Sequence, residues 1–161
     1  MLNKNEKGFT LIELVVVIVV LGILAAFAVS RYTNMAQNAR IAAVNGMAGG
    51  LRGAVAVVQG QYIINGNIAA TTVTMLDGTI VTVSSGTAGG IPTSTGPGVG
   101  GGIGNAMRDT SGFNVTYGVN PVLYQPTNGG SATCQAAYYS ATVGAIFAGT
   151  VVVTTTGVPG C

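Results

Sequence analysis

The sequence predicts an α+β protein: a long N-terminal α-helix packed on a small antiparallel β-sheet head with a C-terminal disulfide loop. Three observations carry this prediction. Residues 9–30 are apolar with a single charge, larger side chains recur at helical spacing from Ile41 to Tyr62, and residues 63–161 hold short β-favouring runs separated by Gly and Pro. The first half of the helix is predicted to be transmembrane and the second half amphipathic.

The chain has too little charge and too few chemically active side chains for most kinds of enzyme. Of its 161 residues 6% are charged, against roughly 25% in an average soluble protein, and there is no histidine. A Ser-His or Cys-His nucleophile is therefore impossible, and no catalytic residue, metal site or cofactor is expected. The net charge of +2 is too weak to attract nucleic acid, so no nucleic-acid partner is expected.

Residues 9–30 form the transmembrane half of the predicted helix. The segment reads FTLIELVVVIVVLGILAAFAVS, with Glu13 as its one charge, and at about 1.5 Å per residue it spans about 33 Å, enough to cross a bilayer. Because Lys4 and Lys7 precede it, the positive-inside rule puts the N-terminus in the cytoplasm and the remainder outside. A cleaved secretory signal is the alternative, but AAFA at residues 25–28 matches a cleavage site only in passing and the helical pattern continues beyond it.

Residues 31–62 form the amphipathic half of the helix. The larger residues follow alternating steps of three and four, as one face of an α-helix requires: Ile41, Val44, Ala48, Leu51, Val55, Val58 and Tyr62. Together the two halves give one helix over residues 9–62, about 80 Å long. Glycines stand at positions 46, 49, 50, 53 and 60, and they indicate either close approach of another backbone or simple tolerance in a helix held by tertiary contacts.

Residues 63–161 form the predicted globular head, whose polarity comes from Thr, Ser, Asn and Gly rather than from charge. An Asp77–Gly78 turn between two Val- and Thr-rich runs predicts a β-hairpin over residues 73–83. A Gly-rich loop is expected over 86–104, with a short helix near 103–108. Three further segments rich in Thr, Val, Tyr and Ala predict strands: 113–117, 133–142 and 150–155.

Cys134 and Cys161 are the only cysteines, and both follow the predicted membrane span on its outer side. An oxidising compartment favours a disulfide between them. The bond would close a loop of about 28 residues and stabilise the fold by about 3.5 kcal/mol in the chain-entropy model. It would also tie down the C-terminal segment.

Glu13 is the one charged residue to which the sequence assigns a specific task. A carboxylate inside a bilayer costs roughly 2.5–3.5 kcal/mol, so Glu13 either snorkels to the interface or meets a cation. No Lys or Arg lies within helical reach of it, apart from those in the first eight residues. If those residues were removed, the new α-amino group of one helix would be able to pair with Glu13 of a neighbouring helix.

The sequence KGFTLIEL at residues 7–14, followed by the apolar run, resembles the prepilin motif of type IV pilins and of the pseudopilins of type II secretion. The resemblance implies that prepilin peptidase cleaves between Gly8 and Phe9, which removes residues 1–8 as a leader peptide, and that the Phe9 amine is N-methylated. It also implies that Glu13 and Phe9 act in assembly, because the glutamate neutralises a neighbouring subunit's N-terminal amine.

The stretch from Phe9 to Leu51 is most similar to MSHA-type pilins, which implies a major pilin that polymerises through its N-terminal helix. The implied partners are identical subunits in a helical homopolymer, prepilin peptidase and the inner-membrane pilus assembly machinery. The prepilin would cross the inner membrane of a Gram-negative bacterium once and then join an extracellular filament for surface attachment, adhesion and biofilm formation. This chain has Ser30 where many relatives carry Pro. Flexibility of the helix is expected between Gly22 and Ser30.

A pseudopilin of a type II secretion system is the alternative function. The pair of cysteines argues against it, because major pseudopilins usually have a calcium site in the corresponding region. Ca²⁺ takes six to eight oxygen ligands, and the head offers only Asp77 and Asp109 as carboxylates. No metal site is therefore expected.

Overall fold

The computed structural model describes residues 9–87, 89–156 and 161, apart from the side chains of Ser30, Thr33 and Asn34. The chain divides into two compact units, the first ending at Asn38 and the second covering Ala39–Cys161. The helices and strands of the described residues are α1 (Leu11–Asn65), β1 (Thr72–Thr74), β2 (Ile80–Thr82), α2 (Ile103–Ala106), β3 (Phe113–Thr116), β4 (Val122–Pro126), β5 (Gln135–Tyr138) and β6 (Val151–Thr154). These elements confirm the predicted α+β fold class.

In the unit that begins at Ala39, α1 buries one side. Val44 and Leu51 are fully buried, Val58 is 1% exposed, and Tyr62 is 5% exposed. Their spacing of seven, seven and four residues places them on one face of the helix. The predicted apolar stripe is thus confirmed as the helical side of the core.

Most of the glycines in this half of α1 face open space. Within the described chain, nothing lies within 4 Å of a Cβ added at four of them: Gly46, Gly49, Gly53 and Gly60. At Gly50 an added Cβ would lie 3.6 Å from the Met107 Cε. Close approach of another part of the same chain therefore does not explain these glycines. Contacts of the apolar stripe with the head stabilise the helix in spite of these glycines.

The larger sheet has four antiparallel strands in the order β3-β4-β5-β6. Leu123 of β4 pairs with Ala137 of β5, which pairs in turn with Val152 of β6. Tyr124 and Tyr138 are fully buried and belong to the same core cluster as the stripe of α1. The core of the head therefore lies between the second half of α1 and this sheet.

The strand β4 is not predicted by the sequence pattern, whereas β3, β5 and β6 lie inside the predicted segments. Pro121 and Pro126 leave only four residues between them, and a proline in such a run is a signal against a strand. In the structure Pro126 is the last residue of β4, opposite Phe113 at the start of β3. Val122 and Tyr124 are buried, so packing stabilises a strand that the local sequence signals do not favour.

The predicted hairpin is present, but β1 and β2 form a separate two-stranded sheet. Val73 and Val81 pair across it and are both fully buried. They pack in a second core cluster with Val58 and Tyr62. The hairpin is separate from the four-stranded sheet because its apolar face covers the last turns of α1.

The Gly-rich loop after β2 is compact and held by the side chain of Asn105. The Asn105 Oδ1 accepts a hydrogen bond from the Gly98 N–H at 2.8 Å, and its Nδ2 donates to the Ile80 carbonyl oxygen at 2.7 Å. Gly90 has a φ of +81°, and a Cβ there would lie 2.8 Å from the Tyr62 Cβ. Only glycine fits this close approach to α1 without strain.

Candidate assembly site

Thr10 and Glu13 close the first turn of α1. The Glu13 Oε2 accepts hydrogen bonds from the Thr10 backbone N–H at 2.9 Å and from the Thr10 hydroxyl at 2.7 Å, and the Glu13 N–H donates to the Thr10 Oγ1 at 3.3 Å. These reciprocal bonds form a capping box, which satisfies backbone N–H groups that have no partner within the helix. Thr10 is not among the predicted site residues, although Thr-x-x-Glu before an apolar run is the sequence signal of this motif.

Glu13 keeps an exposed carboxylate with one oxygen available. Within the described residues its Oε1 accepts no hydrogen bond, and no Lys or Arg forms an ion pair with it. The positive end of the helix dipole stabilises a negative charge in this first turn. The geometry therefore allows Glu13 to cap its own helix and to accept a hydrogen bond from an external cation at the same time.

The segment Leu11–Val29 is apolar on every side of α1. It is long and apolar enough to cross a membrane, and none of it is buried in the described chain. Leu14 and Leu24, for example, are 61% and 58% exposed. A helix that is hydrophobic all round is stable only when it is covered, so this segment requires lipid or other helices around it. The stretch Met35–Asn65 passes the same test, but one third of it is buried, and most of it belongs to the unit that begins at Ala39.

The other predicted residues of this region lie near the start of α1 or within it. Phe9 directly precedes Thr10, the N-cap of α1, and is 89% exposed, whereas Gly8 lies outside the described residues. Gly22 is within α1, no described atom beyond its own helix backbone and chain neighbours lies within 4 Å of an added Cβ there, and the backbone is helical through Ser30. Cleavage at Gly8, methylation of Phe9 and flexibility between Gly22 and Ser30 stay predictions.

Cys134 and Cys161 form the predicted disulfide, with a Cα–Cα distance of 4.9 Å. Both residues are buried in the core of the head. Arg40 on α1 donates a hydrogen bond from its Nε to the Cys161 carbonyl oxygen at 2.6 Å. This contact was not predicted, because the stripe pattern places Arg40 outside the core and carries no information about residues far away in sequence. The disulfide therefore confirms the predicted C-terminal loop, and the hydrogen bond from Arg40 connects this loop to α1.

The charged groups of the head form short-range contacts at its surface. Arg108 pairs with Asp77 at 2.7 Å. The pKa of Asp77 is lowered by hydrogen bonds from Thr79 and, to a smaller extent, by the positive charge of Arg108. Hydrogen bonds from Ser111 likewise lower the pKa of Asp109. Both carboxylates therefore stay ionised at neutral pH and act as hydrogen-bond acceptors rather than as general acids.

An open groove of about 800 Å³ lies between α1, the β1–β2 hairpin and α2. Its walls are mainly apolar, with Val57, Val58 and Leu76 among them, and the Asp77–Arg108 ion pair lies at its edge. Among the described residues no group of three or more His, Cys, Asp or Glu lies together. The described walls of the groove therefore offer a mainly apolar surface.

Comparison with known proteins connects these features to a class of protein. The family model for the prokaryotic N-terminal methylation motif matches residues 3–29. That range includes the capping box and all of the exposed apolar segment Leu11–Val29. The N-terminal part of the chain therefore carries the methylation motif that is typical of prepilins.

Three relatives illustrate the similarity. A fimbrial protein of Eikenella corrodens is 46% identical over 55 residues, which are 34% of this chain and 36% of that protein. The type IV narrow pilus major component of Thermus thermophilus is 47% identical over 57 residues, 35% of this chain and 49% of that protein. The type IV major pilin protein of Neisseria gonorrhoeae is 39% identical over 67 residues, 42% of this chain and 38% of that protein.

Through the motif and these relatives, about a third of the chain is similar to type IV pilins. The matched part spans between about a third and a half of the length of these curated relatives. No solved structure matches the chain.

Proposed function

We propose that the chain is a structural subunit, a major pilin of the MSHA-like kind, of a type IV pilus that serves surface attachment and adhesion. One observation carries the proposal: the segment Leu11–Val29 is apolar on all sides and unburied in a chain whose head has a complete core of its own. Such a segment has only two stable environments, the lipid bilayer or a bundle of copies of itself. Filament assembly transfers it from the first environment to the second.

Membrane insertion and filament assembly follow in order under this proposal. The prepilin crosses the inner membrane of a Gram-negative bacterium once, with its N-terminus in the cytoplasm. Prepilin peptidase cuts between Gly8 and Phe9, the Phe9 amine is methylated, and the assembly machinery adds the subunit to an extracellular filament. The protein has no catalytic role in this scheme.

Glu13 has the central role in joining subunits. Its Oε2 is held by Thr10, and its Oε1 is free of partners in the described chain. We expect that oxygen to accept a hydrogen bond from the charged Phe9 amine of a neighbouring subunit. A charge pair in a medium of low dielectric constant is far stronger than in water, so the pair fixes the axial position of one helix against the next.

Filaments sheared from the cell surface provide the test. Intact-mass measurement and N-terminal sequencing should find a chain that begins with N-methylated Phe9 as the main protein of long fibres. Gly8→Ala should block cleavage and remove the fibres, whereas Asn5→Ala in the same leader should leave both intact. Detection of the protein only in the inner membrane, with fibres unchanged in the Gly8→Ala strain, would contradict the proposal in favour of a type II secretion pseudopilin.

A further inference from the structure

We propose that Asn128 is a site of spontaneous deamidation, which converts a neutral turn of the head into an anionic one. The chain contains the sequence Asn-Gly three times, at residues 45–46, 65–66 and 128–129. Glycine after asparagine favours deamidation because no side chain hinders attack of the glycine nitrogen on the asparagine amide. The three copies lie in different structural settings, and only the third leaves the reacting groups free.

The reaction needs no enzyme and no oxidant or reductant. The Gly129 nitrogen gives its proton to hydroxide or water and attacks the Asn128 Cγ; a new C–N bond forms and the side-chain nitrogen leaves as ammonia. Water then opens the five-membered succinimide. Cleavage at one carbonyl leaves an ordinary aspartate at this position, and cleavage at the other leaves the iso form, in which the backbone runs through the side-chain carbon.

The first two Asn-Gly pairs are held in unreactive arrangements. Asn45 and Gly46 lie in the middle of α1, where the fixed helical backbone holds the amide nitrogen away from the asparagine side chain. Asn65 is the last residue of α1, and its Oδ1 accepts a hydrogen bond from the Gln61 Nε2 at 3.3 Å. The Gly66 N–H donates to the Ile63 carbonyl oxygen at 3.1 Å. Both reacting groups of this second pair therefore have partners.

The third pair lies in the turn that follows β4. Asn128 and Gly129 are exposed, and within the described chain neither the Asn128 side chain nor the Gly129 N–H forms a hydrogen bond. The turn is closed by its neighbours, since the Gly130 N–H donates to the Pro126 carbonyl oxygen at 3.0 Å. The attacking nitrogen and the attacked amide are thus both free and open to water.

Arg40 links this turn to the rest of the head. A Cβ at Gly129 would lie 3.1 Å from the Arg40 Cδ and 3.2 Å from its Nε, so the guanidinium is close to the reacting backbone. A nearby positive charge favours loss of a proton from the Gly129 nitrogen. The head segment, residues 63–161, contains only Asp77, Arg108 and Asp109 as charges, so one added carboxylate changes its charge substantially.

Incubation of the purified full-length protein in detergent tests the proposal. Isoelectric focusing should show an acidic species that accumulates faster at mildly alkaline than at neutral pH. Peptide mapping in heavy-oxygen water should place the labelled aspartate or isoaspartate at position 128. Conversion at Asn65 should be about tenfold slower or more, because two hydrogen bonds must be broken first. In urea the three Asn-Gly pairs should react at similar rates.

Two matched variants separate this site from the others. Asn128→Gln should abolish the early acidic species, since glutamine would have to form a larger ring, whereas Asn65→Gln should leave it unchanged. Deamidation of Asn65 or Asn45 before that of Asn128 would overturn the proposal. The proposal would also be overturned if the amide of Asn128 in the folded protein stayed intact during an incubation long enough to deamidate Asn128 in the urea-unfolded chain. The proposal does not depend on the protein being a pilin.

Discussion

Glu13 combines a capping role with the assembly role that we propose for it. At position N3 of a capping box it satisfies the backbone of its own helix, and its carboxylate is exposed. Thr10 makes this combination possible, because its N–H and hydroxyl occupy only one of the two carboxylate oxygens. The two tasks respond differently to substitution.

Replacing Thr10 and Glu13 separately should distinguish capping from assembly. Thr10→Ala should destabilise the first turn by about 1 kcal/mol, the usual cost of losing a helix cap, and amide hydrogen exchange in detergent should be faster there. Glu13→Gln should retain slow exchange, because glutamine serves in a capping box, yet it should abolish filaments. Thr10→Ser is the control that keeps the hydroxyl. Equal fraying in Glu13→Gln and Thr10→Ala would contradict this prediction, because it would show that the capping box needs the carboxylate charge.

The lowered pKa of Asp77 predicts a loss of stability in acid. Its folded-state pKa lies below the unfolded value of about 3.9, so the carboxylate stabilises the fold above that value and its contribution is lost as the pH falls through the folded-state pKa. We expect the thermal midpoint to fall less steeply with acidification in Asp77→Asn than in the parent. The effect should be small because the side chain is exposed. Equally steep pH profiles for parent and variant would refute this assignment.

At the scale of elements, helical periodicity was the most informative sequence signal. The stripe from Val44 to Tyr62 is buried as predicted, because a helix converts spacing along the chain directly into a face. The strand β4 could not be predicted in the same way, since its stability comes from pairing on both sides and from burial of Tyr124. Single residues show the same limit of sequence-based prediction. Glu13 stands out in the sequence by its charge, whereas the role of Arg40 becomes recognisable only when the fold brings it to Cys161.

The exposed glycines in the second half of α1 lead to a prediction in which stability and assembly change in opposite directions. Gly49→Ala should raise the free energy of unfolding by up to about 1 kcal/mol, because alanine favours the helix and an added Cβ meets nothing within 4 Å. If the bare helix face packs against a neighbouring helix, as we expect, the yield of filaments should fall. Thermal unfolding in detergent and quantification of sheared fibres measure the two effects.

Gly90→Ala provides the control for that experiment. Its added Cβ would clash with Tyr62 and its φ is positive, so this substitution should lower stability. A Gly49→Ala protein that is more stable and assembles normally would show that the glycine is merely tolerated.

At the scale of the whole molecule, the two units of the chain differ in whether they bury their apolar side chains. The unit from Ala39 onward buries its apolar side chains in two core clusters. The unit that ends at Asn38 leaves a complete apolar segment unburied. Such a division is expected of a subunit whose folding is finished before its assembly begins.

Removal of the disulfide should therefore affect the head without affecting membrane insertion. Replacing Cys134 and Cys161 together by Ser should lower the free energy of unfolding by about 3.5 kcal/mol, mainly because the unfolded chain gains freedom. Urea unfolding in detergent measures the loss, and membrane fractionation should show unchanged insertion. A variant with parental stability would mean that the native contacts of Cys161, and not the cross-link, hold the C-terminal segment.

The hydrogen bond from Arg40 to Cys161 has a mechanical consequence. Arg40 stands at the beginning of the head unit, so tension applied along α1 reaches the head near this residue. Its guanidinium is bonded to Cys161, and the disulfide joins Cys161 to Cys134 beside β5. We therefore expect part of such a load to reach β5 through a covalent bond.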